Sequence, residues 1–266
     1  MTEPAQAEVP RVTPWLLRWF RGYARRYLAR HFTALRVSRS GADPAAAAGR
    51  PLVVAANHPS WWDPLVCIHL GATLFAAWQG FAPIEEAALA RYRFFARLGF
   101  FGIDPESRAG AARFLRIAQA ILAGPERCLW ITAQGRFADV RLRPLRLQPG
   151  LGHLVRRLEQ VAVLPMALEY PFWDQRRPEA LVHLGEPILV TEGRKRRAGA
   201  WTELFTARLE RAQEELAELA MGREAGDFRT LLAGRRGISP VYDAWRRFRA
   251  RLRGESFDPT HRGRRP

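Results

Sequence analysis

The feature that most limits how this chain can fold is a repeated pattern. Short apolar runs, each closed by turn-forming or charged residues, are separated by stretches with helical spacing. The runs are PLVVAAN (51–57), FFGID (100–104), CLWITA (128–133), VAVLPMALEY (161–170) and EALVHLGEPI (179–188). Each is short and bounded, which reads as a buried strand. Helical spacing is expected over 14–37, 64–80, 82–97, 107–123, about 150–159 and 200–222, with Phe114, Leu115, Ala118, Ile121 and Leu122 marking the face of the fourth. Strands alternating with helices point to an α/β domain built on a central sheet.

Charge narrows the partners. The chain has 42 Lys and Arg against 26 Asp and Glu, a net charge of +16. Such an excess calls for an acidic partner: nucleic acid, anionic lipid, or a phosphorylated or CoA-linked substrate. No recognition-helix, zinc-finger or RNA-recognition pattern is present, so nucleic acid is not favoured. Much of the excess lies at the two ends. No acid occurs between Glu8 and Asp43, where eight arginines are interleaved with Trp15, Leu16, Trp19, Phe20, Tyr23, Tyr27, Leu28 and Leu35. A basic helix with aromatic residues at its apolar boundary suits a membrane surface. A second basic segment follows Gly234, with a short aromatic and arginine-rich helix expected around Pro240–Leu252. The expected organisation is therefore a basic helix over 1–40, an α/β domain over 41–225 and a basic extension over 226–266.

No window reaches the ~18 uninterrupted apolar residues of a membrane-crossing helix, and the N-terminus lacks the pattern of an export signal. Cys67 and Cys128 lie in apolar runs and read as buried free thiols, suited to a reducing compartment. The expected location is cytoplasmic and peripheral, on the inner face of the cell membrane. No His, Cys or carboxylate cluster has ligand spacing, so no metal is expected. His153 reads as a packing or solvated residue early in a helix, and His69 and His183 as core or edge residues.

The stretch after the first strand, NHPSWWDP (57–64), can bring two chemical groups together. On a continuous helix, His58 and Asp63 would be rotated roughly 140° apart and would not share a face. Pro59 pushes His58 out of the helical region, and Pro64 suits a first helical turn, which places Asp63 at or beside the helix start. The carboxylate then reaches back and can fix the imidazole tautomer, leaving the other nitrogen as a base. By itself this pattern supports either a catalytic pair or a plain helix cap.

The order of motifs over about residues 50–190 resembles the glycerolipid (lysophospholipid, PlsC-like) acyltransferases, whose first motif is N-H-x4-D. RLGFFGIDPESR (97–108) is similar to the second block through Gly99, Ile103 and Asp104, with Pro105 at an arginine position and Arg108 nearby. TAQGRF (132–137) is similar to the third block, F-P-E-G-T-R. It keeps Gly135 but carries Ala133, Gln134 and Phe137 where proline, glutamate and arginine are usual, and Arg136 sits one residue early. RLRPLRLQPGLGHL (141–154) fits the basic segment that follows, and VLPMAL (163–168) fits the proline-bearing fourth block.

The resemblance implies a single α/β domain with a mixed central sheet flanked by helices and basic helical extensions at both ends. It also implies an O-acyltransferase of lipid metabolism, of the kind used in phospholipid biosynthesis. An acyl group would pass from acyl-CoA or acyl carrier protein, a co-substrate rather than a cofactor, to a hydroxyl of a lysophospholipid, glycerol phosphate or related lipid. His58 would be the general base and Asp63 its orienting partner. Asn57, Arg108, Gln134, Gly135 and Arg136 would bind substrate, with the basic groups and the amides near Gly135 holding the acceptor phosphate. The departures at Pro105, Gln134 and Phe137 keep an inactive lipid-binding relative open as an alternative, and the positive charge keeps open a basic nucleic-acid-binding module.

Overall fold

A computed structural model describes residues 9–234 and 249. The helix expected around Pro240–Leu252 falls, but for Arg249, outside the described residues. Nine strands form one mixed sheet in the order β4-β3-β5-β2-β6-β7-β1-β9, with β8 also pairing β6. They are β1 (Ala34–Ser38), β2 (Leu52–Ala56), β3 (Gln79–Glu85), β4 (Phe100–Ile103), β5 (Arg127–Thr132), β6 (Val161–Glu169), β7 (Ala180–Leu184), β8 (Ile188–Val190) and β9 (Phe228–Ala233). The helices are α1 (Pro14–His31), α2 (Asp63–Thr73), α3 (Glu86–Arg91), α4 (Arg108–Leu122), α5 (Gly150–Val155) and α6 (Ala198–Gly222).

β2 lies at the centre, parallel to β5 on one side and to β6 on the other. All five of its residues are buried, as expected for a parallel strand covered on both faces. Because side chains alternate along a strand, Leu52, Val54 and Ala56 pack with Leu28 of α1 and Val66 and Leu70 of α2. Val53 and Ala55 pack with Phe114 and Ile121 of α4, Leu154 of α5 and Phe205 and Leu209 of α6. The molecule is thus an α/β sandwich of three layers.

Three elements differ from the sequence reading. The stretch expected to be helical over 14–37 ends at His31, and residues 34–38 become β1, held between β7 and β9. Residues 79–85, expected within helices, form β3. Pro83 fits there because β5 pairs only with Gln79–Phe81, while Ala82–Glu85 pair with β4 alone, so one flank is open beside the proline. Residues 228–233, expected within a basic extension, form β9 on the outer edge of β1. The sheet therefore reaches beyond both limits set for the domain at 41 and 225.

Candidate active site

β2 ends at Ala56, and the next two residues carry the first site groups. Asn57 is 1% exposed, and its amide completes the joint between β2 and β6. Its Nδ2 donates to Leu168 O at 3.0 Å, and Leu168 N donates to its Oδ1 at 2.7 Å. Asn57 is therefore committed to backbone, not turned toward a substrate.

His58 sits on the turn before α2, as the two prolines require. Its Nδ1 lies 2.6 Å from Asp63 Oδ2. A carboxylate can only accept, so Nδ1 carries the proton and Nε2 keeps its lone pair. The His58 side chain is 18% exposed and that of Asp63 only 1%, so the imidazole is partly open to the surface and its partner is a buried anchor. Asp63 is the first residue of α2, and its carboxylate makes no cap to that helix. Its Oδ2 also accepts from Ser60 N at 3.2 Å, and its Oδ1 accepts from the Tyr170 hydroxyl at 2.6 Å. Three donors, the His58 ring, Ser60 N and the Tyr170 hydroxyl, thus converge on one buried carboxylate and fix its position.

Tyr170 was not legible as a site residue. Burial, the Asp63 charge and the hydrogen bond all push its phenol well above the ordinary range, so it remains a donor. The only sequence signal was its place just after the fourth-block strand, on the side chain's way back toward β2.

The segment 133–148 covers His58 from the other side. Gln148 N donates to Ala133 O at 2.9 Å and closes the loop, and Ala138 N donates to His58 O at 3.0 Å. Gln134, 6% exposed, accepts from His58 N through Oε1 at 3.3 Å. It therefore holds the backbone of His58. Gly135 has φ +68°, the left-handed geometry a side chain resists, and its N–H is spent on Thr132 O at 2.9 Å. That amide is not free to hold an anion. Arg136 is exposed beside it. Phe137, 60% exposed, stacks on the His58 ring with centroids 4.2 Å apart and planes at 30°.

Arg108 lies elsewhere. It opens α4 just past β4, and β4 is three strands from β2, about 14 Å at the usual spacing. The expected site residues thus fall into three groups: a His58–Asp63 pair; Asn57, Gln134 and Gly135, whose polar groups are engaged with backbone; and two surface arginines, of which Arg136 lies in the segment that covers His58 and Arg108 opens α4.

The tryptophans between His58 and Asp63 divide their roles. Trp62 packs on Phe32, Tyr27 and His31, tying the site to α1. Trp61, 55% exposed, stacks on Trp62 at 4.1 Å and faces outward. Neither cysteine is a rival nucleophile, since burial raises both thiols well above their ordinary range.

Fold and site together define an α/β sheet protein with a carboxylate-oriented histidine at the carboxyl end of a central parallel strand. A solved structure with this fold is the 1-acyl-sn-glycerophosphate (LPA) acyltransferase PlsC from Thermotoga maritima, at a TM-score of 0.51 and 14% identity over 77% of this chain and 81% of that one. At that identity the likeness is one of fold. No family model matches the chain, and no curated protein does.

Proposed function

We propose that this protein is an O-acyltransferase acting on a lipid hydroxyl, with His58 as general base. The observation that carries this reading is the 2.6 Å contact between His58 Nδ1 and Asp63 Oδ2, with Tyr170 and Ser60 holding the same carboxylate. The fold shared with an acyltransferase supports it. His58 Nε2 takes the proton of the acceptor hydroxyl, and the oxygen attacks the thioester carbonyl of an acyl-CoA or acyl carrier protein. The tetrahedral intermediate collapses with loss of the thiolate, which recovers the proton from the imidazolium. Asp63 stabilises that imidazolium and fixes the ring, and needs no proton of its own. Arg136, exposed and next in sequence to the Phe137 that stacks on His58, is assigned to the acceptor's phosphate or headgroup.

The same reading places the mouth of the site on an anionic membrane. α1 buries Leu17, Phe20, Ala24 and Leu28 and leaves Trp15, Trp19 and Tyr23 exposed. Trp19, Tyr23 and Tyr27 run in stacked succession toward Trp61. Exposed Tyr92 and Phe94 extend the aromatic surface. Amphipathic rings among arginines suit a headgroup layer, where each cation near the surface contributes about 1 kcal/mol before screening. Among the described residues no helix is long and apolar enough to cross a membrane.

An inactive lipid-binding relative is the second reading, and the Phe137 ring over His58 is what favours it. Purified protein incubated with acyl thioesters and a panel of lysolipid and glycerol phosphate acceptors separates the two. Transfer is expected in the wild type and absent in His58→Ala. Equal activity in both would remove His58 from the role of base, and no transfer to any acceptor would favour the binding reading.

A further inference from the structure

Part of the charge excess is gathered far from the candidate active site. Arg156, Arg157 and Arg194 line a depression of about 290 Å³ together with Gln119. No carboxylate lines it. Among the described residues none of these three guanidinium groups is in an ion pair, and the nearby Glu192 is paired with Lys195 at 2.8 Å.

The cluster is built by a close approach. Arg156 and Arg157 follow α5, and Arg194 follows Gly193 on a short helical turn after β8. Gly193 N donates to Leu158 O at 2.9 Å, and the Trp201 indole donates to Gly193 O at 2.8 Å. A side chain at 193 would run into Val155 O and Leu158 O. Only glycine lets the two segments close to this distance, and the closure sets Arg194 beside the Arg156–Arg157 turn. Like charges drawn together without an acid raise the free energy of the empty site, which a bound polyanion reverses.

Sheet polarity sets the address. His58 follows the carboxyl end of β2, while Arg157 precedes the amino end of β6, which runs parallel to β2 with Leu52 level with Ala162. Six residues of strand separate the level of Ala162 from that of Leu168, which meets Asn57, or about 20 Å. The depression therefore lies on the opposite end of the domain from the active-site mouth and its exposed aromatic rings.

We propose that this depression is a second binding site, for a soluble, multiply phosphorylated small molecule. Guanidinium forks match phosphate oxygens two at a time, and Gln119 adds an amide donor. The assignment of the ligand to solution, rather than to a lipid headgroup, rests on the docking face proposed above. The binding site itself does not depend on it or on the acyltransferase reading.

Isothermal titration of the full-length protein with inorganic pyrophosphate at low salt tests this. Saturable binding is expected, weakened about tenfold or more in Arg157→Gln/Arg194→Gln, since each lost charged hydrogen bond carries a factor of that order. Circular dichroism of the double variant should match the wild type, because both side chains are exposed. Anionic phosphatidylglycerol vesicles should bind the double variant normally. Absent binding, or equal binding by the double variant, overturns the site. A loss of vesicle binding that parallels the loss of pyrophosphate assigns the site to lipid headgroups and overturns the soluble ligand. Tighter binding of polyglutamate, lost in the double variant, would make an acidic protein the partner and likewise overturn it.

Discussion

At the scale of single residues the site is a set of supports around one partly buried imidazole. Tyr170→Phe deletes one of the three donors to the buried Asp63 carboxylate. It should cost about 1–3 kcal/mol in thermal or urea unfolding. On the proposed mechanism it should also lower kcat more than it changes KM, because the role given to Asp63 is to stabilise the imidazolium formed during turnover. Asn57→Ala should destabilise by a similar amount through Leu168, whose N–H and C=O both lose their partner. Phe137 invites a different test. Phe137→Arg places a cation over the ring it now covers and should shift acceptor preference toward phosphate-bearing lipids, read as relative kcat/KM across the panel. The His58–Asp63 pair was legible because two prolines fix the backbone between them. The true roles of Asn57 and Gln134 were not, because their partners are backbone groups of Leu168 and His58 that only the folded sheet brings alongside.

At the scale of elements, α1 has two apolar stripes that one helical spacing could not separate. The sequence showed aromatic residues at helical intervals, and the structure divides them by exposure into Leu17, Phe20, Ala24 and Leu28 inside and Trp15, Trp19 and Tyr23 outside. Replacing the three outer rings with serine should weaken binding to anionic vesicles in a sedimentation assay and leave the unfolding midpoint nearly unchanged. Leu28→Ala, at a fully buried position, should instead cost about 2–5 kcal/mol. β1 and β3 escaped the sequence reading for related reasons. Ala34–Val37 continue the apolar spacing of α1, and only pairing with β7 and β9 makes them a strand. β3 is half exposed and carries Pro83, so it shows neither alternation nor a clean apolar run.

Elements are also joined by a buried polar chain that responds to acid. The Ser38 hydroxyl of β1 lies 2.7 Å from His183 Nδ1 on β7, and His183 Nε2 lies 2.8 Å from Glu215 Oε2 on α6. A neutral ring donating from Nε2 and accepting at Nδ1 satisfies both neighbours. Burial lowers the His183 pKa from 6.5, outweighing Glu215, and burial beside Arg25 lowers that of His69. As pH falls through 6.5, the unfolded chain takes up protons that the folded one refuses, so stability should decline. Glu215 is held below its ordinary 4.5, chiefly by Arg211, and adds a further loss as pH falls through that region. Melting temperature measured from pH 7.5 downward should fall, and the slope should be shallower in His69→Gln.

At the scale of the whole molecule, the α/β class and the central position of PLVVAAN were legible, since a strand buried on both faces writes itself as an unbroken apolar run. The far edge of the sheet was not. β9 reads as part of a basic tail because half its residues face water, and it is a strand only by virtue of β1. A chain ended after residue 226 should therefore expose the edge of β1 and appear as aggregate on size-exclusion chromatography.

The position of β1 also has a bearing on synthesis. Arg36 meets Glu179 only 143 residues later and Thr230 only 194 residues later. At common translation rates of 5–20 residues per second, roughly 10–40 s pass between the making of Arg36 and the making of its last neighbour. Until β7 is made, about three-quarters of the way through that interval, a strand that ends with all five residues buried has neither of its flanking strands, and β9 follows only at the end. The first-made strand of this sheet is among the last to find its place, so an apolar N-terminal region stays without its sheet partners through much of translation.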